Sequence, residues 1–168
     1  MSIEELLANF PDLKKDVCYK ILGDKIYYLE DIKDAITSFK SETEYWNLSL
    51  ENNLSKNILL LENEFSVMKK ETTKKCDWVF FENNKLYFVE SKDVKYKQRN
   101  KERKDATKQL IASIEFYNSK LNLTSITILS QICFKSNSRI IKAGDQARKV
   151  LFKTYNSDFT ESNYISFE

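Results

Sequence analysis

The sequence predicts an α/β fold, a mixed sheet flanked by helices, and three observations carry that prediction. Two apolar runs, residues 78–81 and 86–89, flank Asn83-Asn84, and Asn tolerates the positive φ that a tight hairpin demands. Ala106, Leu110, Ile114, Tyr117 and Leu121 then lie on one stripe of a long helix. Residues 125–134, rich in β-branched and large apolar side chains, follow as another strand. A strand, helix, strand unit of this kind closes a mixed sheet with helices on its faces.

The remaining elements are read from the N-terminus. Residues 17–22 and 25–29 flank Gly23-Asp24 and predict an N-terminal hairpin. Asp31 stands as an N-cap before Ile32, Ile36, Phe39, Thr43, Trp46 and Leu50, a helical spacing that ends near Asn52-Asn53. Residues 58–68 read as a strand, most buried at 58–61. The tail predicts a short helix over 145–153 and a final strand over 164–167. With two Gly and one Pro in 168 residues, loops should be short. The length fits one domain: a hairpin extension (1–30), a core (31–134) and a C-terminal extension (135–168).

Composition excludes much chemistry. The chain has no His, so a Ser-His-Asp triad, His-ligated zinc and a histidine general base are all absent. Cys18, Cys76 and Cys133 are far apart and odd in number, the pattern of free thiols rather than of a zinc site or disulfide framework. The N-terminus lacks the features of a signal peptide, and no apolar stretch approaches membrane-spanning length. A soluble cytoplasmic protein without membrane association is expected. Tyr27, Tyr28, Trp46 and Trp78 sit in regular apolar patterns and read as core.

The hairpin has a chemical consequence. If Asn83 and Asn84 form its loop, Glu82 pairs with Lys85, Phe81 with Leu86, Val79 with Phe88, and Asp77 with Glu90. Period-two alternation puts Asp77, Val79, Phe81, Leu86, Phe88, Glu90 and Lys92 on one face, and Trp78, Phe80, Tyr87 and Val89 on the other. Both faces are apolar at mid-strand, so the strands should be central. Two carboxylates directly opposite have Cβ atoms about 5 Å apart, and like charges there destabilise a sheet. A divalent cation would offset the repulsion, and hard oxygen ligands favour Mg²⁺ or Mn²⁺. Lys92 projects beside them, where its ammonium would position a water nucleophile or stabilise charge developing on a phosphate.

Cys76-Asp77, twelve residues, then Glu90-Ser91-Lys92 resembles the motif of the PD-(D/E)XK nuclease superfamily, with Cys76 in place of the Pro. The order helix, three strands, helix, strand over about 31–134 is similar to that superfamily's αβββαβ restriction-endonuclease-like core. The resemblance implies that Asp77 and Glu90 hold the metal, with the Ser91 carbonyl as a further ligand, and that Lys92 is the catalytic lysine. It also implies an acid on the first helix, where Glu42, Glu44 and Glu51 are available and Glu44 is preferred, and a functional Gln on the second helix, matched by Gln109. The implied activity is Mg²⁺-dependent phosphodiester hydrolysis, with DNA the expected substrate and repair, restriction or phage defence the expected settings. A catalytically silent binding module or immunity-type partner on the same fold is the alternative, and a protein partner or a homodimer is left open.

Charge distribution adds to this. Lys95, Lys97, Arg99, Lys101, Arg103, Lys104 and Lys108 are opposed only by Glu102 and Asp105. This run is net +5 in a chain of net +2, and it begins just after Lys92. Such a run would neutralise backbone phosphates, with Tyr96 and Gln98 adding stacking or polar contacts. Positive charge at a helix start opposes the helix dipole, which favours a binding role or a loop. A second, weaker cluster comprises Lys135, Arg139, Lys142, Arg148 and Lys149.

Overall fold

Apolar side chains alternate through the central strands and so demand cover on both sides. A computed structural model, which describes residues 1–23, 25–32, 37–54, 56–134 and 145–167, shows how that demand is met. The elements in chain order are α1 (Ile3–Ala8), β1 (Tyr19–Leu22), β2 (Ile26–Glu30), β3 (Ser38–Lys40), β4 (Leu48–Glu51), β5 (Ile58–Glu62), β6 (Trp78–Glu82), β7 (Lys85–Lys92), α2 (Arg99–Lys120), β8 (Thr127–Phe134), α3 (Asp145–Tyr155), β9 (Asp158–Glu161) and β10 (Tyr164–Ser166). A six-stranded sheet runs β1-β5-β6-β7-β8-β9, antiparallel from β1 to β7 and parallel from β7 to β9. A four-stranded sheet runs β10-β4-β2-β3, with β10 and β4 parallel. The fold is thus α/β with mixed sheets.

The β6–β7 hairpin has the expected register, Glu82 with Lys85, Phe81 with Leu86 and Val79 with Phe88. Asn83 and Asn84 have φ of 44° and 61°, the left-handed values a two-residue turn needs. Val79, Phe81, Leu86 and Phe88 pack with Leu6 of α1, with Ala106, Leu110, Ile114 and Tyr117 of α2, and with Leu151 of α3. The other face, Trp78, Phe80, Tyr87 and Val89, packs with Leu29 of β2, Leu48 and Leu50 of β4, and Ile165 and Phe167. The layers are therefore helices, sheet, sheet.

That third layer replaces the first helix expected over residues 31–53. Residues 38–40 and 48–51 are strands, and Ile36 lies outside the described residues. Locally, Ser41 N–H and Oγ both donate to the Glu44 carboxylate and close a turn that is not continued. Side-chain to backbone bonding of this kind competes with helix. Globally, Leu48 and Leu50 cover an apolar sheet face that no described helix reaches, and tertiary burial overrides a weak helical period.

The expected N-terminal hairpin is also corrected. β1 pairs with β5, and β2 pairs with β3 and β4, so the chain changes sheets near Gly23; Asp24 lies outside the described residues. β5 ends at Glu62 rather than 68. Asn63–Val67 instead forms a π-helical turn, held by Asn63 N–H to the Asp77 carbonyl and Asn63 Nδ2 to the Cys76 carbonyl. The α2 stripe, β8, α3 and β10 fall where expected within a few residues, and β9 was not anticipated. Cys76 and Cys133 are buried thiols and Cys18 is half-buried. Trp78 is core, while Trp46 and Tyr28 are half-buried, with their rings tilted at 43° and centroids 5.3 Å apart. Among the described residues no helix is long and apolar enough to cross a membrane.

Asn83→Val places a β-branched residue in the left-handed region and should cost about 1–2 kcal/mol in urea unfolding. Asn83→Gly should be nearly neutral. Equal losses for both would show that the turn does not depend on positive φ.

Candidate active site

The hairpin's open end gathers the charged residues. Trp78 and Val89 are the last described pair of the β6–β7 ladder, so Asp77 lies one step beyond, level with Glu90. The Ser91 N–H donates to Asp77 Oδ2 at 2.6 Å and ties that carboxylate to the strand carrying Glu90. Asp77 keeps some exposure, whereas Glu90 is 1% exposed. Glu90 Oε1 pairs with Lys92 Nζ at 2.5 Å, and Glu90 Oε2 has no hydrogen-bond partner. Lys92 Nζ also donates to Gln109 Oε1 at 2.8 Å, and Gln109 Nε2 donates to the Lys75 carbonyl at 2.9 Å. Helix α2 therefore fixes the lysine through Gln109.

The electrostatics are those of an acid cluster with too little positive charge. Burial, then the negative charges of Glu90 and Asp31, push Asp77 well above the usual carboxylate range, against the pull of the Ser91 N–H. Burial pushes Glu90 up to about 8, although Lys92 opposes it. Burial and the Glu64 charge raise Asp31 to about 6, and Lys92 again opposes. Burial alone would depress Lys92, but Glu90 and Asp77 more than offset this and raise it. Lys92 is thus an ammonium at neutral pH, a source of positive charge rather than a base.

The donor set suits a hard divalent cation. Glu90 Oε2 is a buried oxygen without a donor, and such groups are costly unless something satisfies them. Among the described residues no three acidic, Cys or His side chains form a ready metal cage. Mg²⁺ does not require one, since it is commonly held by one or two carboxylates together with water and substrate phosphates.

The residues expected from sequence divide clearly. Asp77, Glu90, Lys92 and Gln109 come together. Ser91 contributes its N–H to Asp77, and its Oγ is buried without a partner. Glu44 is not in the site: it is exposed and bonded to Ser41, because the helix meant to present it is a turn between strands. Glu42 is likewise exposed, and Glu51 bonds Tyr164 Oη and Asn53 Nδ2. Asp31 and Glu64 were missed as acids of this cluster. Asp31 stands just after β2, where an N-cap was expected, and Glu64 lies in the π-helical turn. The one available signal was Glu62-Asn63-Glu64, polar residues ending an apolar run.

The basic run also divides. Lys95, Lys97, Lys101, Lys104 and Lys108 are exposed. Arg99 is buried against the rings of Tyr96 and Phe134, and Arg103 is paired through its Nε and Nη2 with Glu161. Both arginines, expected to meet phosphate, are drawn into the fold. Of the second cluster, Arg148 and Lys149 are exposed, and Lys135, Arg139 and Lys142 lie outside the described residues.

The chain matches no protein-family model, no curated protein and no solved structure.

A carboxyl raised above its unfolded value, as Glu90 is, contributes stability below about pH 4.5 and loses it as pH rises through about 8. In EDTA the protein should therefore lose on the order of a few kcal/mol between pH 5 and pH 8. Glu90→Gln should flatten the profile and stabilise the protein at pH 8, as read by thermal melts. A wild-type profile that is already flat would show that Glu90 is not held in this environment.

Proposed function

We propose that this chain is a metal-dependent phosphodiester hydrolase, a nuclease of the PD-(D/E)XK kind acting on DNA. The observation that carries the reading is a buried Glu90 with one unpartnered oxygen, level with Asp77 and paired to a lysine that a glutamine from α2 holds in place. The strand order supports it. β5, β6 and β7 form a meander, α2 crosses over, and β8 returns parallel to β7, as in the βββαβ part of a restriction-endonuclease-like core. The leading helix of that core has no counterpart among described residues 37–54, where strands stand instead.

Hydrolysis forms a bond from water oxygen to phosphorus and breaks one from phosphorus to a sugar oxygen, with a proton passing to the leaving oxygen. Asp77 and Glu90 would hold Mg²⁺ or Mn²⁺, which supplies Lewis acidity and lowers the pKa of bound water. Lys92, cationic and fixed by Glu90 and Gln109, is placed to stabilise negative charge growing on phosphate oxygens. Exposed Lys95, Lys97 and Lys101 follow directly in sequence and offer phosphate contacts. Asp31 and Glu64 add negative charge that strengthens cation binding.

The short Glu90–Lys92 pair also supports a second reading, in which Lys92 stands in permanently for a cation and the domain binds without cutting. The two readings separate by measurement. With Mg²⁺ the protein should cut plasmid or oligonucleotide DNA, and EDTA should abolish cutting. Lys92→Ala should lower the rate about 100-fold or more. Cutting that survives both treatments overturns the mechanism. Calorimetry should show Mg²⁺ binding that Asp77→Asn removes; nucleic-acid binding with no cation binding would establish the module instead. Asp31→Asn and Glu64→Gln should weaken cation binding, whereas Glu44→Gln should leave it unchanged.

A further inference from the structure

We propose that Tyr96 is a stacking platform for an unpaired nucleobase, so that the substrate is single-stranded or locally unwound nucleic acid. This rests on the nuclease reading for the class of ligand. Tyr96 opens a short 3-10 turn, Tyr96–Gln98, between β7 and α2. Residues three apart eclipse in such a turn, which sets Arg99 beside Tyr96.

The two begin a ladder of alternating rings and guanidinium groups. The Arg99 guanidinium lies 5.5 Å from the Tyr96 ring and 5.3 Å from the Phe134 ring. The Arg103 guanidinium lies 5.7 Å from that same Phe134 ring and is anchored by Glu161. Phe134 is the register partner of Lys92 across β7 and β8. The ladder therefore runs from the strand position beside Lys92 to Tyr96.

Its last rung is open. Tyr96 is 82% exposed, the most exposed large apolar side chain among the described residues, ahead of Leu54 at 61%. Arg99 and Phe134 lie behind the ring in cation–π contact, while the ring itself is not used by the core. A nucleobase adds the next aromatic surface to such a stack, and base stacking on an aromatic side chain tolerates any sequence. Exposed Lys95 and Lys97 flank Tyr96 in sequence and would offer contacts to the phosphates on either side of that base. A perfect duplex keeps its bases stacked on one another and offers this ring no face.

The test is fluorescence anisotropy in EDTA with wild type, Tyr96→Ala, Tyr96→Phe and Tyr96→Trp. The probes are single-stranded DNA and RNA 12-mers, an abasic strand of equal length and a perfect duplex. Tyr96→Ala should weaken single-strand binding about tenfold or more, with Phe and Trp retaining it. Abasic-strand and duplex affinities should change less than about twofold in Tyr96→Ala. The DNA and RNA arms report whether the sugar matters. Equal losses on all probes would make Tyr96 a general surface contact and overturn the proposal, as would no loss on any. Mg²⁺-dependent cutting with unchanged single-strand affinity in Tyr96→Ala removes this inference and leaves the nuclease reading intact. A wild type that binds none of the probes removes both.

Discussion

The register of the β6–β7 hairpin is the constraint on which the rest depends. Two asparagines at positive φ close the turn, and the pairing that follows leaves Asp77 level with Glu90 at the far end. A slip of one residue would turn every side chain to the wrong face and bury charge in one of two apolar layers. Because both faces are packed, the slip is expensive twice over, once against the helices and once against the second sheet. The same packing that fixes the register removes water from Glu90 and leaves Asp77 only partly exposed. What remains to offset their repulsion is the Ser91 N–H, the Lys92 ammonium and whatever cation the site admits.

The hairpin and α2 were legible because their patterns are long and unambiguous. Val79, Phe81, Leu86 and Phe88 alternate cleanly with Trp78, Phe80, Tyr87 and Val89. Ala106, Leu110, Ile114 and Tyr117 hold a helical stripe that proved to be core. Residues 31–53 were not legible. Phe39, Trp46 and Leu50 satisfy a helical spacing, but what decides their structure is the uncovered sheet face that Leu48 and Leu50 meet. β1 was misjudged for a related reason. Its sequence permits pairing with β2, but β5 is buried throughout and takes β1 as its second neighbour.

The site divides along the same line. Asp77, Glu90 and Lys92 follow from a local turn, and Gln109 only from the family resemblance. Asp31 and Glu64 arrive through a change of sheet and a π-helical turn, and the only local sign of either is the polar Glu62-Asn63-Glu64 that ends an apolar run. Arg99 and Arg103 show how far charge alone can mislead. Their sequence neighbourhood is basic, yet Glu161, 58 residues further along the chain, takes one, and two aromatic rings take the other. Positive charge is visible in a sequence, but the partner that uses it is not.

The remaining question is whether Lys92 alone is enough for the cluster. One ammonium pairs with Glu90, feels the charge of Asp77 and helps to offset Asp31. Were that compensation complete, Glu90 would sit at or below an ordinary carboxylate, as paired acids do. Instead burial dominates, Glu90 is held near 8 beside its lysine, and its second oxygen has no donor. Near neutral pH the fold can resolve this by keeping a proton on the acid or by admitting a second positive charge. A proton satisfies one oxygen and leaves Asp77 and Asp31 raised. On the proposed reading a divalent ion at Asp77 and Glu90 would supply the missing positive charge, and Asp77 keeps some exposure. That charge deficit is what supports our proposal of a cation-binding site over a lysine-sealed one.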